Sequence, residues 1–207
     1  PSPWSAADPS ITADGFKADD SNVYSAGSDW FFQMVFVAAA GSIVSGTVAE
    51  RVKVFSFLVF IVVLTGVIYP IQGSWTWGGG WLSEMGFSDF AGSTIVHSVG
   101  GWAALTGAII IGARKGKYGE DGQVNPMPGA NLPLATLGTF ILWLGWFGFN
   151  AGSAAAANGD AGMAMLVTHI SAATASLVWM FIEWKKTGKP GLVGIVTGTI
   201  AGLATIT

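Results

Sequence analysis

The sequence predicts an all-α polytopic membrane protein, and three observations carry the prediction. Of 207 residues, 51% are hydrophobic and only 10% are charged, against about 25% charged in a usual soluble domain. The few charges bracket long uncharged runs. The basic residues fall into alternate connections. The same composition, with no Cys and a net charge of −3, excludes a disordered chain, a disulfide scaffold, a Cys-ligated metal site and a nucleic-acid partner, whose phosphates call for many Lys and Arg.

Between Asp29 and Glu50 lie 20 uncharged residues, between Lys53 and Glu84 30, and between Asp89 and Arg114 24. Asp121 to Asp160 brackets 38, Asp160 to Glu183 brackets 22, and 18 follow Lys189. About 20 apolar residues in a helix cross roughly 30 Å of hydrocarbon. Five runs suffice and the sixth nearly does. The spans are expected near 30–49, 54–72, 91–113, 132–153, 161–183 and 191–207. They are read as helices, because the short alternating strands of a membrane barrel are absent.

Eight of the nine Lys and Arg fall after spans one, three and five: Arg51 and Lys53, then Arg114, Lys115 and Lys117, then Lys185, Lys186 and Lys189. The connections after spans two and four have none. The positive-inside rule places the basic loops in the cytoplasm of a cell membrane and residues 1–28 outside. Trp30, Trp75, Trp77 and Trp81 gather at the outer boundary and Trp184 at the inner one, the pattern of an aromatic belt. Residue 1 is Pro and the last span reaches Thr207 without a flank, so the chain is expected to be an internal piece of a longer one, with 1–28 an extracellular or periplasmic loop. Gly194, Gly198 and Gly202, and again Gly145, Gly148 and Gly152, have the spacing of closely packed helices.

Two ionisable groups lie inside spans, His97 and His169, and such groups are functional candidates by default. Asp89 stands just before the third span. His97, eight residues later, is expected about 12 Å deeper on a helix rising 1.5 Å per residue. A neutral imidazole there can donate and accept at once, which suits relaying a proton or a small polar solute; the alternative is a histidine bonded to a nearby carbonyl. Phe32 and Phe36 share a helix face at i and i+4, while Trp146 and Phe149 stand at i and i+3 with Ser153 four residues on. Such stripes serve packing, or hold a small cation by its attraction to ring faces plus one hydroxyl acceptor; spacing does not choose. A haem between His97 and His169 is a third reading, disfavoured by the sequence depths of the two histidines. GKYGEDGQ is a turn cluster without the GK[ST] ending of a phosphate loop.

The runs AERVKVFSFLVF, WGGG at 77–80, DFAGSTIVH at 89–97, GWFGFNAGS at 145–153 and EWKKTGKPGLVG at 183–194 resemble, in order and spacing, the ammonium transporter family, in its Amt rather than its Rh branch. The resemblance covers roughly 29–207. It implies part of an eleven-helix bundle with an inverted repeat, from about the third helix to the start of the eighth, in a homotrimer with one pore per subunit. It implies a transporter or channel for ammonium or ammonia, with methylammonium as an analogue, no enzymatic activity and no cofactor. A PII-type regulatory protein is an implied partner. By the matching motifs, Phe36, Trp77 and Ser153 would recruit ammonium, Phe36 and Phe149 would form the gate, His97 and Trp146 would line the pore, and Asp89 would order the outer vestibule. The second pore histidine of the family is expected on a later helix, outside this sequence. An ammonium sensor built on the same bundle is the alternative.

Overall fold

A computed structural model describes residues 25–207, so most of the loop expected over 1–28 lies outside the described residues. Six long helices carry the described chain, α1 (Ala26–Val48), α2 (Val54–Ser74), α3 (Ser93–Ile111), α4 (Leu132–Gly152), α5 (Gly159–Thr187) and α6 (Leu192–Ile206), with a single helical turn, Trp81–Glu84, between α2 and α3. The first five are long and apolar enough to cross a membrane, and α6, with 15 residues, is shorter. No strand forms among the described residues, only an isolated bridge between Tyr118 and Val124.

The helix ends follow local chemistry. Ser25 accepts from Ser28 N, Asn131 from Leu134 N and Asn158 from Ala161 N, each satisfying an orphan amide at the start of α1, α4 and α5. Helix α1 therefore starts four residues before the expected span. Helix α5 runs to Thr187, past the expected end at 183, until Gly188 stops it at φ 83°. At the end of α1, the Arg51 guanidinium donates to Thr47 O and to Gly112 O at the end of α3, taking up carbonyls the helices leave open.

Helices α2 and α3 each contain a widened π turn, over Leu64–Ile68 and Ser93–Ser98. In α2 the cause is Pro70, which has no N–H to return to the preceding turn and forces the ladder to shift. The sequence reading expected an uninterrupted span there.

The chain divides into two compact units, one holding α1, α2 and Thr94–Gly112, the other Asp89–Ser93 with Ala113–Thr207. The first is centred on Val44, Val48, Leu64 and Ala104. Its close contact is between α1 and α3: a Cβ on Gly100 would sit 2.8 Å from Ala40 O, and one on Gly107 3.0 Å from Val48. The second unit is centred on Trp146, Ala172 and Leu203. In it α5 and α6 meet along Gly194, Gly198 and Gly202, where a Cβ would strike Trp179, Ala175 or Ser171. Gly145 and Gly148, three residues apart rather than four, face open space, so close packing does not account for them within this structure. Outside these seams large apolar side chains stand exposed, Phe55 at 77%, Ile110 at 78% and Leu144 at 73%, as suits a hydrocarbon solvent.

Candidate functional site

In the first unit the candidate side chains gather around Phe36, which is 2% exposed on α1. One turn earlier, Phe32 meets it with ring centroids 4.5 Å apart. Trp77 approaches from the turn after α2, 6.0 Å away and inclined by 44°. That turn depends on glycine. A Cβ on Gly78 would lie 2.8 Å from Ser74 Cα and one on Gly80 2.7 Å from Ser74 O, while Gly79 takes φ 71°, so the chain folds tightly back on the end of α2. Trp77 N donates to Gly73 O at 3.0 Å, which fixes where the indole starts. Trp75 and Trp81 pair with each other at 5.8 Å and remain 40% and 51% exposed, as belt residues do. Trp77 is half-buried and does not belong with them.

His97 sits half-buried in the π turn of α3. The helix begins at Ser93, so His97 is its fifth residue and the estimate of eight helical steps from Asp89 is too long. The reason is local. Asp89 Oδ1 accepts from Gly92 N at 2.8 Å and Ser93 N at 3.1 Å, so it caps the start of the helix from outside it. Within the first unit, Gln72 Nε2 donates to Ile95 O at 2.8 Å, two residues before the histidine.

In the second unit the candidates lie along α4. Trp146 is 7% exposed and its indole N–H donates to Thr207 Oγ1 at 2.7 Å. Its ring faces Phe149 at 5.7 Å. Ser153 follows at the end of the helix, and its hydroxyl donates to Phe149 O at 2.8 Å, which commits the proton and leaves the oxygen as an acceptor. His169 is exposed on α5 with its ring 5.3 Å from Trp143 and 6.3 Å from Phe147.

The Ammonium Transporter Family profile matches residues 8–207. The chain belongs to the ammonium transporter family. Among curated relatives it is 44% identical to the ammonium transporter Amt2 of Archaeoglobus fulgidus, over 95% of this chain and 44% of that one. It is 48% identical to Amt1 of the same organism, over 85% of this chain and 44% of the relative. It thus spans less than half the length of these relatives. Among solved structures, one described as a sensor Amt protein is 42% identical and superposes with a TM-score of 0.84 over 86% of this chain and 46% of that chain. Candida albicans Mep2 superposes at 0.76 with 35% identity, over 83% of this chain and 38% of that chain. The family is one of transporters rather than enzymes, and its apolar spans make the chain part of a multi-pass membrane protein.

For this ammonium transporter family chain the structure brings Phe36 together with Trp77, and Trp146 with Phe149 and Thr207. Two polar residues escaped the sequence reading. Gln72 on α2 reaches the π turn that carries His97, and Asn150 on α4 is 2% exposed with its amide on Thr168. A polar residue inside an apolar span is the only mark the sequence gives either of them, and it does not name a partner.

Proposed function

We propose that this chain supplies the outer recruitment site, the upper gate and one pore histidine of an ammonium-conducting channel. The single observation that carries the proposal is the pairing of Phe36 with Trp77 in a chain whose motifs match the ammonium transporter family. Two ring faces attract a small cation, and the Ser153 oxygen accepts one of its N–H groups. This combination rewards ammonium, with its directional donors, over potassium of the same charge. Below it, Phe36 and Phe149 form an apolar gate that penalises a bare charge by several kcal/mol or more. Deprotonation before passage lowers that cost, and His97 relays the proton or orders the uncharged solute, with Trp146 a further lining residue of the pore. Asp89 acts at a distance by capping the helix that carries His97.

The rest of the proposal concerns the whole assembly. Residues 29–207 form one transmembrane domain within an eleven-helix bundle with an inverted repeat, three copies make a homotrimer, and residues 1–28 face outward. The basic loops lie in the cytoplasm of the cell membrane, where a PII-type protein regulates the channel. The test is uptake of methylammonium by the full-length protein carrying His97→Ala. A lowered rate or altered selectivity against potassium is expected, and unchanged uptake with unchanged selectivity overturns the role given to His97.

A second reading is favoured by the structural likeness to the sensor Amt protein at 42% identity. In it the same bundle binds ammonium and passes the signal to an appended cytoplasmic domain. A folded signalling domain after the last membrane helix, together with binding but no uptake, selects this reading.

A further inference from the structure

In the first unit, α1 and α3 meet along one seam whose contacts keep in step. A Cβ on Gly100 would lie 2.8 Å from Ala40 O, and one on Gly107 3.0 Å from Val48 Cγ1. Between these points Val44 shares a buried cluster with Ala104, and beyond them the Arg51 guanidinium donates to Gly112 O. Ala40 meets Gly100, Val44 meets Ala104, Val48 meets Gly107 and Arg51 meets Gly112, so the two helices run parallel and in register. One turn before Ala40 stands Phe36, and one turn before Gly100 stand Val96 and His97. The register therefore sets the Phe36 ring and His97 at one level.

Nearest the histidine, the register depends on the missing side chain of Gly100. Ala40 O is backbone and cannot step aside, and Ile43 already fills the rest of the space, its Cδ1 2.9 Å and its Cβ 3.0 Å from where a Cβ would be. An atom added at Gly100 must part α1 from α3 or slide one along the other. At Gly107 only the end of the Val48 side chain is in the way, and a small shift of that side chain absorbs the change. We propose that Gly100 is a positioning residue for His97: by letting α1 and α3 touch, it holds the imidazole level with the Phe36 ring. This role rests on the reading of Phe36 as gate and His97 as pore histidine. An imidazole that acts on a solute at the gate has to stand where the ring admits it, and a misplacement of about 1 Å is enough to slow a reaction about a hundredfold.

The experiment measures methylammonium uptake, and its preference over potassium, in proteoliposomes of the full-length protein. Gly100→Ala should lower the maximal rate about threefold or more and shift the preference, while KM changes less than about twofold because recruitment is untouched. Gly107→Ala, in the same seam but further from His97, should keep the parental rate and preference. In a His97→Ala background Gly100→Ala should shift the preference no further, since its effect runs through the imidazole. Ile43→Ala loosens the seam at the same level without adding an atom, so it should shift the preference too, and it decides the matter if Gly100→Ala does not fold. Parental rate and preference in Gly100→Ala and Ile43→Ala overturn the proposal. Equal losses in Gly100→Ala and Gly107→Ala overturn it by leaving the seam a folding role alone, as does a full effect of Gly100→Ala in the His97→Ala background. His97→Ala without effect removes the reading beneath the proposal, whereas an effective His97→Ala beside a silent Gly100→Ala removes the proposal only.

Discussion

Gln72 Nε2 donates to the carbonyl oxygen of Ile95 across 2.8 Å, tying α2, just beyond its own π turn, to the π turn of α3 that carries His97. Both helices depart from the regular ladder, and a side-chain amide joins them close to where they do. Widened turns leave carbonyls poorly matched to amides of their own helix, and such turns recur at functional sites. Gln72 thus anchors the turn that carries His97.

Gln72→Leu should therefore disturb transport more than folding. The variant keeps the size of the side chain and loses one hydrogen bond, worth about 0.5–1.5 kcal/mol net. Thermal stability should fall by no more than a few degrees. Methylammonium uptake by the full-length protein should fall several-fold, and Gln72→Glu, which cannot donate to a carbonyl when ionised, should resemble Leu. Uptake at the parental rate in both variants leaves this anchor without a role in transport.

Gly198 and Gly148 predict opposite outcomes for the same substitution. A Cβ on Gly198 would lie 2.7 Å from Trp179 Cβ and 2.8 Å from Ala175 O, and backbone cannot step aside as a flexible side chain does. Gly198→Ala should cost about 1–3 kcal/mol by overpacking the seam of α5 and α6. On Gly148 a Cβ meets nothing within 4 Å, so Gly148→Ala should leave stability unchanged or raised by up to about 1 kcal/mol through helix propensity. Melting temperatures of the two variants in one detergent compare them directly.

These two glycines also show what the sequence could reveal. Regular small-residue spacing marks a smooth helix face, but it does not say whether another helix covers that face. The seam of α1 and α3 uses Gly100, Ala104 and Gly107, a mixed and uneven set that drew no notice. Span positions were legible because charges bracket the first five apolar runs and open the sixth; the exact starts of α4 and α5 rest on the Asn131 and Asn158 caps. The π turns were not. Pro70 marks one of them, but nothing in STIVHS announces the other. Phe36 and Trp77 were legible as candidates from their motifs, whereas Asn150 was not, since its meaning depends on Thr168, 18 residues away on another helix.

Thr207→Val should destabilise the second unit, although it preserves the shape of the side chain. The hydroxyl accepts from Trp146 Nε1 at 2.7 Å, at a site where Trp146 is 7% and Thr207 5% exposed. Removing it leaves an indole N–H buried without an acceptor, which costs about 1–3 kcal/mol. Thr207→Ser keeps the acceptor and should recover most of the loss. A melt of the three proteins in the same detergent checks the order, and equal melting temperatures for Thr and Val refute the claim.

Trp77→Leu tests the recruitment site without opening its packing. Leucine retains an apolar contact to Phe36, whose ring centroid is 6.0 Å from that of Trp77, but it offers no π face. Attraction of a cation to such a face is worth about 0.5–2 kcal/mol, so the KM for methylammonium should rise about twofold to thirtyfold. On the proposed order, with recruitment before the gate, the maximal rate should change far less than KM. Trp77→Phe restores a ring face and should recover part of the affinity. Ser153→Ala removes the hydroxyl acceptor instead, and the two losses should be less than additive if both groups hold the same ion. Additive losses in the double variant place the two residues at separate points on the path and undo the single recruitment site.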